Sequence, residues 1–373
     1  IAMAHVAAAR ALACAGLAAT DLDLIVYGSC SNDEHIPNSA SGLSVKLGAG
    51  TAAAMDVNTA CTSFLHGLST ANAMIRTGVV KTALVVGVEK FTDKVGPGVD
   101  AALATTSDSD FEAIHGMTPA SQAALLMKRY IHDYEVPEHG FAGFALTAHA
   151  NGVANRNAMF RKAIKPETYA KAEMVSDPLN MFDMAPNADG AAAIVLTRRD
   201  LLPSNFSHPL VKIAGSASSS DTLALHDRKD MLYFDTAQIS AGKAMKQVGA
   251  VLDNIDLFEY HDTFSIYAAL QLEAVGFAIK GKGWKLAADG CIALVPPAVE
   301  LLANKPHIPC ATMGGMKARG FAGGASGVYQ AVDAVTQLQG RAEANQIPNV
   351  KTALIQSLGG PASTAVSHIL QRT

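Results

Sequence analysis

Lys81-Thr82-Ala83-Leu84-Val85-Val86-Gly87 and, near the other end of the chain, Lys351-Thr352-Ala353-Leu354-Ile355-Gln356 are two versions of one segment. Each follows a helical pattern that ends at a glycine, Gly78 or Gly340, and each is a short apolar run of the kind that forms a buried strand. A second pair stands upstream in each copy. Asp21-Leu22-Asp23-Leu24-Ile25-Val26-Tyr27-Gly28 and Asn254-Ile255-Asp256-Leu257-Phe258-Glu259-Tyr260 both follow helices and both read as strands. Between the members of each pair a turn of small residues opens a helix: Ala60-Cys61-Thr62-Ser63 in the first copy, Gly323-Gly324-Ala325-Ser326-Gly327 in the second. Order, element type and residue match together predict a duplicated strand–helix–strand module. Helices alternating with buried strands predict α/β layers, with helices covering a sheet.

The second copy has a further strand, Pro209–Gly215, before its first helix. The first copy opens at Ile1-Ala2-Met3-Ala4, already in a helical pattern that runs to Gly16, so an N-terminal strand is expected to be missing from it. Residues 90–190 do not repeat and read as an insertion between the halves. Gly190–Thr197 then returns the chain to the first sheet. Long insertions after strands often carry function.

The 373 residues are 49% hydrophobic and 17% charged, enough apolar material for a large core. Aromatics at 6% and a net charge of -4 give no support to a nucleic-acid or anionic-membrane partner. The apolar runs are too short for a membrane span. Cys14, Cys30, Cys61, Cys291 and Cys310 form neither a disulfide framework nor a metal-ligand spacing, so a reduced, cytoplasmic protein without a structural metal is expected.

The segment richest in chemistry is Asp56-Val57-Asn58-Thr59-Ala60-Cys61-Thr62-Ser63-Phe64-Leu65-His66-Gly67. A strand runs to about Val57, and a helix starts just past Cys61. A cysteine there is either a small packed residue or a nucleophile whose thiolate the free N–H groups and the helix dipole stabilise. The same N–H groups could hold an oxyanion.

Asn58–Ser63 closely resembles the nucleophile loop of thiolases, where cysteine accepts an acyl group from acyl-CoA. Further matches follow in order. Asp183-Met184-Ala185-Pro186-Asn187-Ala188-Asp189-Gly190 resembles the segment closing the thiolase N-terminal half. Glu259-Tyr260-His261-Asp262-Thr263-Phe264 resembles the HDxF loop of the sterol-carrier-protein and archaeal types. Gly314–Gly320 and Gly324–Gln330 resemble the archaeal C-terminal loop, and Ser357-Leu358-Gly359-Gly360 falls where many thiolases carry CxG. The resemblance spans the whole chain and implies the thiolase fold, two duplicated βαβαβαββ halves in five αβαβα layers. It divides the chain into an N-terminal half (1–90 plus 185–205), a loop domain lining a CoA channel (91–184) and a C-terminal half (206–373).

By that resemblance Cys61 is the nucleophile. Its N–H and that of Gly359 form the oxyanion hole, and His261 helps bind the thioester oxygen of the second substrate. Asp262 orients its loop. His115 and Met117 match residues lining the pantetheine channel, though the same segment also reads as a helix start ahead of Thr118-Pro119. Phe321, Ser326 and Ser357 fall among the substrate-contacting positions. Arg156, Arg161, Lys162 and Lys165 either meet CoA phosphates or are solvated. The implied substrate is a coenzyme A thioester, with no covalently bound cofactor and no metal. A homodimer is implied, and for this subtype a small OB-fold, zinc-ribbon partner.

The pattern breaks in two places. Phe321 stands where the usual Gly-His-Pro loop has its histidine, and Ser357 replaces the acid/base cysteine, with Thr263 where the sterol-carrier type has another. A positioned acid or base contributes about 10²–10⁴-fold. Either the helix dipole or His261 supports the Cys61 thiolate, and the protein is an acyltransferase of altered chemistry, or it is a non-catalytic thiolase-fold subunit or a thiolase-like retro-aldol lyase. His66, on the following helix, is a weak substitute.

Overall fold

The computed structural model describes residues 1–32, 36–94, 98–202, 206–296 and 307–373. Helix α1 (Ala2–Ala15) is built of alanine and leucine and stops at Gly16, whose left-handed φ of 68° costs glycine little. Strand β1 (Leu24–Gly28) follows. Helix α2 (Ser39–Leu47) is capped by Asn38, whose side chain accepts a hydrogen bond from Ser41 N at 3.1 Å. Strand β2 (Ala53–Val57) leads through the cysteine loop into α3 (Ser63–Arg76), and β3 (Thr82–Glu89) closes the module.

The insertion holds α4 (Gly98–Ala104), α5 (Pro119–Tyr134), α6 (Ala142–Gly152), α7 (Pro166–Ala170) and a hairpin of β4 (Met174–Ser176) and β5 (Leu179–Asn180). Thr118 and Ser121 cap α5 reciprocally, each hydroxyl accepting the other's backbone N–H, with Pro119 at the first helical position. Strand β6 (Gly190–Thr197) returns to the first sheet.

The second half runs β7 (Val211–Ser220), α8 (Asp235–Val248), β8 (Leu257–Glu259), α9 (Ser265–Val275), α10 (Gly283–Ala288), α11 (Gly315–Arg319), α12 (Ser326–Leu338), β9 (Thr352–Gly359) and β10 (Thr364–Arg372). The 205/206 boundary between the halves touches residues 203–205, outside the described residues.

The two sheets have the orders β2-β1-β3-β6 and β7-β10-β9-β8. In each, the first strand of the module pairs parallel with the strand beginning Lys-Thr-Ala-Leu (β1 with β3, β8 with β9), which then pairs antiparallel with a final strand (β6, β10). The duplication extends to single hydrogen bonds. Asp23 Oδ2 accepts from Lys81 N and Thr82 N at 2.7 and 3.0 Å, and Asp256 Oδ2 accepts from Lys351 N and Thr352 N at 2.8 Å each. The counterpart of β2 shrinks to one parallel bridge between Cys310 and Phe258. Strand β7 has no counterpart in the first sheet among the described residues.

Five layers result. Helices α1 and α2 pack their apolar faces on the outside of the first sheet. Helices α3 and α12 lie between the sheets and share a core with both. Helices α8 and α9 cover the second sheet, with the α5 and α6 region packed on them. This is the predicted αβαβα stack. Among the described residues no helix is long and apolar enough to cross a membrane.

Candidate active site

The loop between β2 and α3 is held by its own hydroxyls. Ser63 Oγ accepts from Thr59 N at 2.9 Å and donates to Ala60 O at 2.6 Å, and Thr62 Oγ1 donates to Thr59 O at 2.6 Å. Ala60 is forced to a left-handed φ of 52°, a conformation that costs a non-glycine residue about 1–3 kcal/mol and concentrates at functional sites. The turn places Cys61 just ahead of α3, against a pocket of about 410 Å³.

That pocket is also lined by His261, Thr263, Phe264, Tyr267 and Phe321 from the second half. The insertion supplies a further wall, including Leu103, Thr106, Gly116, Thr118 to Gln122, Val175 and Ser176. Residues far apart in the chain thus converge on one sulfur. Gly360 lines the pocket, and neighbouring Gly359 ends β9 against the cysteine loop, where an added Cβ would lie 3.6 Å from Thr59 O.

The thiol is not the stabilised anion that its place at a helix start predicts. Burial, and then the Glu89 carboxylate, push Cys61 up to about 12. A helix terminus is worth about 0.3–1 kcal/mol to an anion, whereas one unit of pKa is about 1.4 kcal/mol. The dipole is outweighed, and the resting sulfur is a neutral thiol. Glu89 is itself fixed from both halves. Its carboxylate accepts from Ser29 Oγ at 3.1 Å, Cys30 N at 3.0 Å, the Ser31 hydroxyl, and Gly324 N at 2.7 Å. Gly324 is needed there, since a Cβ would sit 3.0 Å from Ser29 Cα.

Burial also drives His261 down to about 3, so the ring is neutral. Nε2 lies 2.6 Å from Thr263 Oγ1, and Nδ1 lies 3.3 Å from Ser357 Oγ. A neutral imidazole has one N–H and one lone pair, and these two hydroxyls occupy both. His261 is therefore not free to take the Cys61 proton, contrary to the expectation that it supports the thiolate. Ser357 Oγ also donates to Cys61 O at 2.9 Å, bridging the nucleophile loop to the histidine from behind the pocket wall.

Phe321 faces the pocket. Its ring lies 6.1 Å from Phe91 and edge-on to His261 at 6.4 Å. Asp189 fixes Phe91 by accepting from its N–H at 2.7 Å. An apolar wall, with Ala185 and Met316 beside it, stands where the family resemblance implies a proton acceptor.

Other predicted positions lie outside the pocket lining. Asp262 is buried, with Oδ1 accepting from Met316 N at 2.7 Å, which orients α11. Ser326 is fully buried at the start of α12, its hydroxyl unpartnered. His115 and Met117 flank the lining residue Gly116. Arg156, Arg161, Lys162 and Lys165 are exposed, and His66 is half-buried and lowered by burial. Tyr267 and Phe91 were not singled out in the sequence. Tyr267 sits three residues past the HDxF match, in the first turn of α9, and that spacing was the available signal. Among the described residues no cluster of histidine, cysteine and carboxylates could hold a metal.

Family models match residues 2–200 as "Thiolase, N-terminal domain" and residues 217–372 as "Thiolase C-terminal domain-like". The chain is 33% identical over 363 residues to an acetyl-CoA acetyltransferase of Methanothermobacter thermautotrophicus, covering 96% of this chain and 91% of that protein. It is 25% identical over 311 residues to the benzoylsuccinyl-CoA thiolase subunit BbsB of Thauera aromatica, covering 82% and 76%. Its structure resembles the solved Ltp2-ChsH2(DUF35) aldolase with a TM-score of 0.81 at 22% identity, over 100% of this chain and 92% of that one.

Proposed function

The chain belongs to the thiolase family, and from that membership we propose that it is an acyl-CoA-dependent acyltransferase carrying its acyl group on Cys61. One observation carries the reading: the Cys61 side chain ends in a pocket built by both halves and the insertion, not in a sealed core. The acyl group passes between Cys61 and a carbon or thiol acceptor, in C–C bond formation or cleavage. The N–H groups of Cys61 and Gly359 hold the thioester oxyanion. His261 binds the thioester oxygen of the second substrate in the tautomer protonated on Nε2, with the oxygen replacing the Thr263 hydroxyl and Ser357 Oγ turning its proton from Cys61 O to Nδ1.

Residues 91–184 form the wall of the CoA channel, with His115 and Met117 beside the pantetheine and the four exposed cations meeting phosphates at its mouth. Phe321 and Phe91 favour an apolar acyl group. A homodimer and a small OB-fold partner are the assembly proposed by family resemblance.

Incubation with acyl-CoA, read by intact mass, tests this. The expected result is a single acyl adduct that is absent from Cys61→Ala. No adduct with short, long or aromatic acyl chains overturns the reading in favour of a non-catalytic thiolase-fold subunit.

A further inference from the structure

We propose that Tyr267 is a catalytic proton carrier, moving the proton of the Cys61 thiol to the α-carbon released when a C–C bond is cut, and back in condensation. The proposal rests on the acyl-carrier reading above.

The titratable side chains that line the pocket among the described residues are Cys61, Asp100, His261 and Tyr267. Asp100 is exposed. Both nitrogens of His261 are occupied by hydroxyls. Tyr267 remains. Its ring is wedged edge-on between Phe264, at 5.0 Å, and Phe234, at 5.7 Å. Such packing fixes the direction of the phenol.

Among the described residues the Tyr267 hydroxyl has no hydrogen-bond partner, yet the Arg228 guanidinium, Cys61 and Glu112 all act on it electrostatically. Arg228 is anchored by donating to Thr222 O at 3.2 Å and to Pro361 O, and its Nε is buried without a partner. A cation held there stabilises transient negative charge on the phenol oxygen.

Burial keeps both the thiol and the phenol neutral at rest. The sulfur cannot simply shed its proton to solvent, so the proton must move within the site. In cleavage of a 3-ketoacyl-CoA, Sγ bonds to the ketone carbon, and Tyr267 Oη takes the S–H proton in the same step in which it gives up its own. The bond between the ketone carbon and the α-carbon breaks, and its electron pair stays on the α-carbon. The original Tyr267 proton completes the new C–H bond. Tyrosine ends as it began, the S–H proton has become a C–H proton, and no external base is consumed. Condensation is the same path reversed.

Tyr267→Phe keeps the ring and its contacts. With acetoacetyl-CoA as probe, the expected result is release of acetyl-CoA slowed about 10²-fold or more. Acetyl transfer to Cys61 from acetyl-CoA, where the sulfur proton passes to the departing CoA sulfur and no α-carbon proton moves, is slowed far less than cleavage. Washout of deuterium from the methyl group of labelled acetyl-CoA, which a purely structural tyrosine would not govern, is lost with the hydroxyl. Equal cleavage rates in wild type and Tyr267→Phe, or a loss confined to Asp100→Asn, overturn the proton carrier and leave acyl carriage standing. A wild type that gains no acetyl group from either thioester overturns both.

Discussion

The loops that open α3 and α12 are the same device used twice. The first follows β2 and the second follows α11, but each is a run of small residues and each starts a helix in the central layer. Their contents differ. The first bends Ala60 into a left-handed conformation and turns Cys61 to the pocket. The second buries Ser326 completely and supplies Gly324 N to the Glu89 carboxylate. One copy presents a reactive group, and the other braces the charge beside it. Duplication supplied the frame, and of these two loops only the first turns a nucleophile to the pocket.

The sharpest break in that comparison is Phe321→His, which puts an imidazole on the wall facing Cys61. Alkylation of the Cys61 peptide by iodoacetamide at neutral pH is expected to rise by about 10²-fold. An unchanged rate would mean that the missing proton acceptor is not what limits the thiol. Next in size is Gly324→Ala, whose Cβ would lie 3.0 Å from Ser29 Cα and 3.3 Å from Cys30 N. Overpacking against backbone costs about 1–3 kcal/mol, to be read from urea unfolding, and full stability would show that the two loops are not locked together.

A smaller effect tests the seam between β10 and α3, where His368 Nε2 meets Leu65 O at 3.1 Å. Burial lowers His368 to about 4 and His261 to about 3. Both rings gain a proton on unfolding below about pH 6.5. The unfolded state then binds more protons, so stability falls as pH drops from 6.5 towards 4 and is free of this loss above 6.5. Melting temperature against pH is expected to decline less steeply in His368→Gln, and an unaltered slope would remove His368 from the account. The smallest effect lies on the outer face of the second half. Gly242, exposed within α8, has open space at its Cβ. Gly242→Ala is expected to stabilise by about 0.5–1 kcal/mol, measured in the same unfolding experiment.

The frame was legible because duplication leaves a trace in residue order. Lys81-Thr82 and Lys351-Thr352 land in matching places, each held by the aspartate that immediately precedes the neighbouring strand. The second parallel partner of β8, the counterpart of β2, was not legible, because a single bridge at Cys310 leaves no strand-length pattern. Cys61, His261 and Phe321 were found because motif order carries them into one pocket. The state of the thiol was hidden, because it depends on Glu89 and on depth of burial. Burial comes first, the carboxylate that residues 29–31 and 324 hold at Glu89 adds to it, and no local stretch reports either. Tyr267 was missed for the same reason, since its neighbours Arg228, Glu112 and Cys61 meet only through the fold.

The anchored carboxylate of Glu89 has a consequence for how the protein ages. Peroxides attack the ionised form of cysteine. A sulfur kept protonated by burial, with a fixed carboxylate beside it, is a slow target for them, so the setting that makes Cys61 a reluctant nucleophile also shields it from sulfenic acid formation.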